Sequence, residues 1–276
     1  MDRFSVRNGM QNFANQNGCS ETTRRRIWQV FAKKWVFSHQ TNKVLYNLVE
    51  DILSYFGQEY KYGANPFDHT ENCNRLKTYI CQQCEWFKVY DFIECYLAFY
   101  SGKSEFIETT NAFNSILEDE KTGYHIINGL VTPITNELEI QALEVALAKS
   151  PDHVAQSIQK ALKLFSDREK PDFNNAIKEI ITAVEALCCT IVEGGEDTLG
   201  RAVNKFAEYG IVLNENLTTA IKNLYKYTCN EDGKRHGGTS FVESDVEDAR
   251  FMLVTCSAII NFLMVKWEKA KVNKNV

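Results

Sequence analysis

"GYHIINGLVTPITNELEIQALEVALAKS", residues 123–150, is where the reading of the chain turns. Up to this point the apolar residues recur at intervals of three and four. Here the period changes to a short extended segment, an Asn128-Gly129 pair, and a second extended segment closed by Pro133. Asn-Gly supplies the two positive φ angles of a tight hairpin turn, so a β-hairpin is expected near 123–133. The helical pattern then resumes, with Thr135 as its expected cap.

Outward from the hairpin the chain reads as helix on both sides. Ile27, Val30, Phe31 and Trp35 form one apolar stripe. Val44, Leu45, Leu48, Ile52 and Phe56 form a second, and Val89, Phe92, Ile93, Tyr96 and Phe99 a third. "SEFIETTNAFNSILEDE" continues as a helix ending in solvated acids. Beyond the hairpin, Pro151-Asp152 opens another helix, and Phe173, Ile177, Ile180, Val184, Leu187 and Ile191 line the one after it. "EGGED" ends that helix, and a short one follows from Thr198 to Tyr209 with Gly210 at its C-cap. Asn214 caps a helix through Tyr227. A last helix is expected from about Glu243 to Lys269, with Met252, Cys256, Ile259, Leu263 and Trp267 as its seam. No internal repeat is visible.

The totals set bounds on function. A chain of 276 residues, 44% hydrophobic and 24% charged, has the composition of a globular protein with room for two domains. The net charge of -5 argues against nonspecific coating of nucleic acid, which depends on phosphate neutralisation. Residues 1–150 carry 15 basic and 18 acidic side chains and the remainder 16 and 18, so neither half is a basic module. "MDRFSVRNGMQNF" lacks the apolar run of a secretory signal. The uncharged stretch "FMLVTCSAIINFLMV", residues 251–265, is shorter than the ~20 residues of a bilayer span, and a buried core helix is expected there. Nine irregularly spaced cysteines read as free thiols in a reducing cytosol. The expectation is a cytoplasmic protein without a membrane partner.

Several residues are candidates for chemistry. "NEDGKRHGGT", residues 230–239, sets Lys234, Arg235 and His236 among three glycines. Arg offers a planar fork of donors to phosphate oxygens, and His exchanges a proton near neutrality. A loop joining two helices is also ordinarily polar and glycine-rich. Lys222 and Lys226, one helical turn apart, extend a small basic strip toward that segment. Glu185 lies against an apolar helix stripe, where a carboxylate needs a partner. An Arg or His from the 230s is one such partner, and a solvated rim position is the other reading. Cys81 and Cys84, with His69 and Cys73 upstream, have ligand spacing for only one pair, so they read as small buried hydrophobes and no metal is expected. Arg24-Arg25-Arg26 reads as a solvated helix face. His39, His125 and His153 stand alone and read as structural or exposed. No phosphate-binding glycine loop and no nucleophile elbow occurs.

Taken together and in order, these stretches resemble bacterial abortive-infection proteins of the AbiJ type, which join a family-specific N-terminal domain to a HEPN domain. In the N-terminal part the resemblance rests on "RRRIWQVF" (24–31), "VYDFIECYL" (89–97) and "GYHIINGLVTPITNELEIQAL" (123–143). In the C-terminal part it rests on "AIKEIITAVEALC" (176–188), "TLGRAVNKF" (198–206), "LYKYTCNEDGKRHG" (224–237) and "DARFMLVTCSAIINFL" (248–263). It implies a mainly α protein: a helical N-terminal domain with one short β-hairpin over 1–150, then a HEPN-like up-and-down helical bundle over 151–276.

The resemblance further implies an anti-phage effector, dimeric, whose HEPN module cleaves or binds RNA without a metal or other cofactor. His236 would take the ribose 2'-hydroxyl proton and Arg235 would stabilise charge on the phosphorane. Glu185 would orient the pair, while Lys234, Lys226 and Lys222 assist at the phosphates. The family's usual motif separates its Arg and His by four to six residues, whereas Arg235 and His236 are adjacent, and Cys229–Asp232 supply no other Arg. A non-catalytic module holding a nucleotide or protein partner is therefore the alternative. A phage-derived trigger or regulatory partner is the expected role for the N-terminal domain.

Overall fold

The computed structural model describes residues 18–37, 43–61, 66–167, 170–193, 198–228 and 244–274. The chain divides into two compact units, residues 1–135 and 136–276. The fold is mainly α with a single two-stranded antiparallel sheet among the described residues.

The first unit contains α1 (Glu21–Phe37), α2 (Lys43–Tyr55), α3 (Pro66–Thr78), α4 (Trp86–Phe99) and α5 (Glu105–Asp119). Ser20 starts α1, its Oγ accepting the Thr23 N–H at 3.0 Å. A single π-helical turn, Tyr79–Gln83, follows α3 directly. Its i→i+5 bond is made by the Cys84 N–H to the Tyr79 carbonyl. The core of this unit is strongly aromatic. Phe31 meets Phe92 and Tyr96 edge-on, with ring centroids 5.7 and 5.3 Å away, and Trp28 lies 4.9 Å from Phe31.

The hairpin closes the unit: β1 (His125–Ile127) pairs with β2 (Leu130–Thr132) in the register His125–Thr132, Ile126–Val131, Ile127–Leu130. Asn128 and Gly129 have φ of 50° and 82°, the two left-handed residues of a type I' turn. In such a hairpin the Ile126–Val131 pair turns its backbone groups outward, away from the ladder. Side chains from the helices meet them. The Asn114 amide of α5 accepts the Ile126 N–H at 2.7 Å and donates back to the Ile126 carbonyl at 3.2 Å. On the other edge, Glu94 of α4 accepts the Val131 N–H at 2.7 Å. Both groups are thus paired by side chains from the surrounding helices rather than by a third strand.

The second unit begins at α6 (Glu137–Lys149), capped by Asn136 and not by Thr135. The Asn136 Oδ1 takes the Leu138 and Glu139 N–H groups at 3.0 and 3.3 Å, and Asn136, one residue nearer the helix than Thr135, is the one in reach. The expected N-terminal domain, ending at 150, includes this helix. It packs on the last helix, with Asn261 donating to the Ala142 carbonyl at 2.8 Å and Arg250 paired to Glu139 at 2.6 Å. Next come α7 (Asp152–Ser166), α8 (Phe173–Ile191), α9 (Leu199–Asn204), a 3-10 turn (Phe206–Tyr209), α10 (Glu215–Thr228) and α11 (Val246–Lys274).

α8 is the hub of this unit, in contact with α7, α9, α10 and α11. Its buried side chains are small or aliphatic: Ala176, Ile177, Ile180, Val184 and Leu187 among them. Gly210 stops the 3-10 turn at φ 79°, and a Cβ there would come 3.4 Å from Ala270 of α11. α11 departs from the expected buried helix. Ala249, Met252, Leu253, Cys256, Ile260 and Leu263 form its buried face, whereas Ile259 and Trp267 of the expected seam are only half-buried. By length and composition it is the one described helix apolar enough to cross a membrane. It packs along one face within the unit and carries exposed apolar side chains on the opposite one.

Candidate functional site

Of the candidate residues, Glu185 and Lys222 meet the two ends of α9 in the second unit. Glu185 projects from α8 and is half-buried. Its Oε1 accepts the Leu199 N–H at 3.0 Å. Leu199 is the first residue of α9, and Thr198 at the N-cap makes no side-chain capping bond. The Glu185 carboxylate therefore performs the cap from a distance, placing negative charge against the exposed N–H groups of the helix start. The half-buried carboxylate does have a partner, and it is backbone. Sequence reading missed this because a backbone N–H fourteen residues on leaves no residue-type signal.

Lys222 of α10 donates to the Asn204 Oδ1 at the C-terminal end of α9 at 2.5 Å. Glu185 and Lys222 thus hold the two ends of α9, the carboxylate at the start and the ammonium at the finish, which matches the helix dipole. Lys226 follows one turn later on the same helix and is exposed. Lys234, Arg235 and His236 lie outside the described residues, within the segment 229–243 that joins α10 to α11. Ser244, the first described residue beyond that segment, donates its N–H to Asn174 Oδ1 at the start of α8.

The remaining candidates have structural partners. Arg24 turns inward rather than lying on a solvated face, donating to the Ile80 carbonyl at 2.9 Å and to Cys84 Sγ at 3.3 Å. Arg26 forks across the C-terminal end of α5, reaching Asp119 and Glu120, each at 2.6 Å. Only Arg25, paired with Glu21 one turn back, occupies the solvated face. The acids that end α5 supply the reason, since they give α1 a docking partner. Burial pushes the thiols of Cys81 and Cys84 up, and those of Cys19 and Cys73 to about 12, so all four are protonated near neutrality. Among the described residues no group of three or more His, Cys, Asp or Glu could hold a metal ion.

Of the isolated histidines, His153 Nε2 meets Thr190 Oγ1 at 2.9 Å, tying α7 to α8. His125 Nε2 lies 3.0 Å from the Asn114 amide nitrogen. The Asn114 oxygen already accepts the Ile126 N–H, so its nitrogen is the donor and the His125 ring is held neutral. Burial lowers the His125 pKa, with Glu118 opposing weakly. His39 and the side chain of His69 lie outside the described residues.

Neither a curated protein nor a solved structure matches the chain. A family model does. The family described as AbiJ N-terminal domain 4 matches residues 2–149, more than half of the sequence, and the match includes the aromatic core, the pinned hairpin and α6. The chain belongs to the AbiJ N-terminal domain 4 family.

Proposed function

We propose that this protein is an abortive-infection effector of anti-phage defence, toxic when triggered, whose C-terminal bundle is a HEPN-type module acting on RNA as a homodimer in the cytoplasm. Family membership of the N-terminal half carries the reading, because that domain is described by its place in an abortive-infection protein. The chemistry is assigned to the segment between α10 and α11. There Arg235 holds a phosphate, His236 exchanges the 2'-hydroxyl proton, and Lys234, Lys226 and Lys222 add positive potential. No metal enters this scheme. The N-terminal domain senses a phage-derived trigger or a regulatory partner.

One observation favours the alternative of a module that binds a nucleotide or protein partner without turnover. The Glu185 carboxylate is engaged with the start of α9, so the residue assigned to orient the Arg–His pair already has a structural duty. The deciding experiment incubates the purified chain with RNA and expresses it in cells, alongside His236→Ala and Arg235→Ala. Cleavage and growth arrest abolished in both variants supports the endoribonuclease. Wild-type protein that cuts no RNA, with both variants still arresting cells, would overturn it. Nucleotide binding by calorimetry without turnover would select the binding module.

A further inference from the structure

α11 is 29 residues long, about 43 Å, and the bundle uses only one of its faces. On the opposite side, Glu247, Phe251, Thr255, Ala258, Phe262, Val265, Lys269 and Val272 recur at intervals of four or three. Successive residues turn by about 100°, so this spacing draws one straight stripe along the helix. It lies across from the buried Ala249, Met252, Cys256 and Leu263. Phe251 is 60% exposed, Val265 52% and Val272 64%, and even Phe262 is 37% exposed. A row of large apolar side chains in water along several turns marks a surface meant to be covered.

The ends of the stripe say what covers it. It opens on the exposed acid Glu247 and nears its end at the exposed base Lys269, with no other charged residue on the row between them. Ala258 lies midway between these two, and midway between Phe251 and Val265. A second copy of the same helix laid antiparallel, with a two-fold axis at Ala258, sets each Glu247 against the partner's Lys269. It also sets each Phe251 against the partner's Val265. Parallel pairing would instead place like charges together. The small side chain at the centre lets the two backbones approach where helices cross. Such a patch is self-complementary, as an isologous interface requires.

We infer that the outer face of α11 is a homodimer interface, in which two copies of this helix pair antiparallel about Ala258 with their Glu247 and Lys269 ends in mutual contact. This deepens the two-protomer part of the function proposed above and rests on it only in requiring a second copy. It names the surface by which the copies join.

The test is sedimentation equilibrium of the full chain and of charge-swap variants. The wild type is expected to be dimeric. Glu247→Lys and Lys269→Glu should each weaken association by roughly threefold to tenfold, and the two together should restore it. These side chains are exposed, so the swaps leave the bundle folded. Phe262→Glu should weaken association by at least ~30-fold, as removal of a central aromatic anchor does, with helicity checked by circular dichroism. A monomer at every concentration overturns the inference. So does a dimer whose affinity ignores all three changes, which would mean that another face pairs. Monomers that instead float with phosphatidylglycerol–phosphatidylcholine vesicles overturn it too, because lipid would then be what covers the stripe. RNA cleavage by a monomeric chain would sink this interface and leave the RNA reading standing. A dimer that answers to the swaps yet never cuts or binds RNA would do the reverse.

Discussion

The two units of this protein solve the packing problem with different materials. In the unit spanning 1–135 the largest fully buried side chains are rings: Tyr90, Tyr96, Phe31, Phe92 and Phe113. Among the described residues of the unit spanning 136–276 only Phe206 joins that class, and the hub helix α8 is lined by Ile, Val, Leu and Ala. Rings are rigid and carry directional edges, so they fit few arrangements, and tyrosines must also satisfy a hydroxyl. Tyr90 donates to the Gly18 carbonyl at 3.2 Å, and Tyr96 to the Tyr100 hydroxyl at 3.5 Å. Aliphatic helices interdigitate more permissively and tolerate repacking. The first unit is accordingly expected to be the less forgiving of mutation.

The sharpest way to break that comparison is to remove a ring. Phe31→Ala should destabilise the first unit by about 3–5 kcal/mol, toward or above the upper end of the about 2–5 kcal/mol that Ile180→Ala in α8 should cost. Equal costs in calorimetric melting would show that the aromatic core is no more specific than the aliphatic one. Next in size is Asn114→Leu, which deletes both bonds to Ile126 and leaves its backbone groups buried. The expected loss is about 2–4 kcal/mol, with hydrogen exchange at Ile126 rising before that of the helices. Exchange unchanged at Ile126 would mean the clamp is dispensable.

Smaller is Glu185→Ala, which strips the remote cap from α9. A cost of about 1 kcal/mol is expected, with Glu185→Gln recovering much of it by keeping an acceptor. Full recovery by Gln would show that charge is irrelevant to the cap. The mildest effect concerns pH. Because the His125 pKa is lowered in the fold, the unfolded chain takes up the proton first. This contribution to stability is complete above the unfolded value near ~6.5 and declines as the pH falls through the lower folded value. The melting temperature of the first unit should fall over that range, and His125→Asn should flatten the decline. An unchanged slope in that variant would assign the acid sensitivity elsewhere.

How far the sequence carried depends on whether a signal is local. Asn128-Gly129 announced its turn because only a few residue types accept two left-handed angles in succession, and both are found. Gly210 and Asn214 announced helix ends for similar reasons. The π-helical turn at Tyr79–Gln83 was illegible, because one extra residue in a helical turn alters periodicity too little to read. Nothing about Asn114 or Glu94 marked them as clamps on a strand distant in the chain. Arg24 and Arg26 were misread as solvated for the same reason: their partners, Ile80 and the acids of α5, are brought near only by folding. Glu185 and the lysines of the candidate site were picked out by residue type, while the duty of Glu185 toward Leu199 required coordinates. The expected boundary at 150 follows a Pro-marked helix start and lies beside the end of the family match at 149, while the compact units divide before α6, which packs on α11.

The pinned hairpin has a consequence for how the molecule meets others of its kind. A two-stranded ribbon normally offers two open edges, each an invitation to a foreign strand. Here the outward N–H groups of Tyr124, Ile126 and Val131 are already given to Thr122, Asn114 and Glu94, and Pro133 has none to give. Strand addition at either rim would have to evict a side chain at each step. The protein can therefore accumulate without this sheet seeding aggregates.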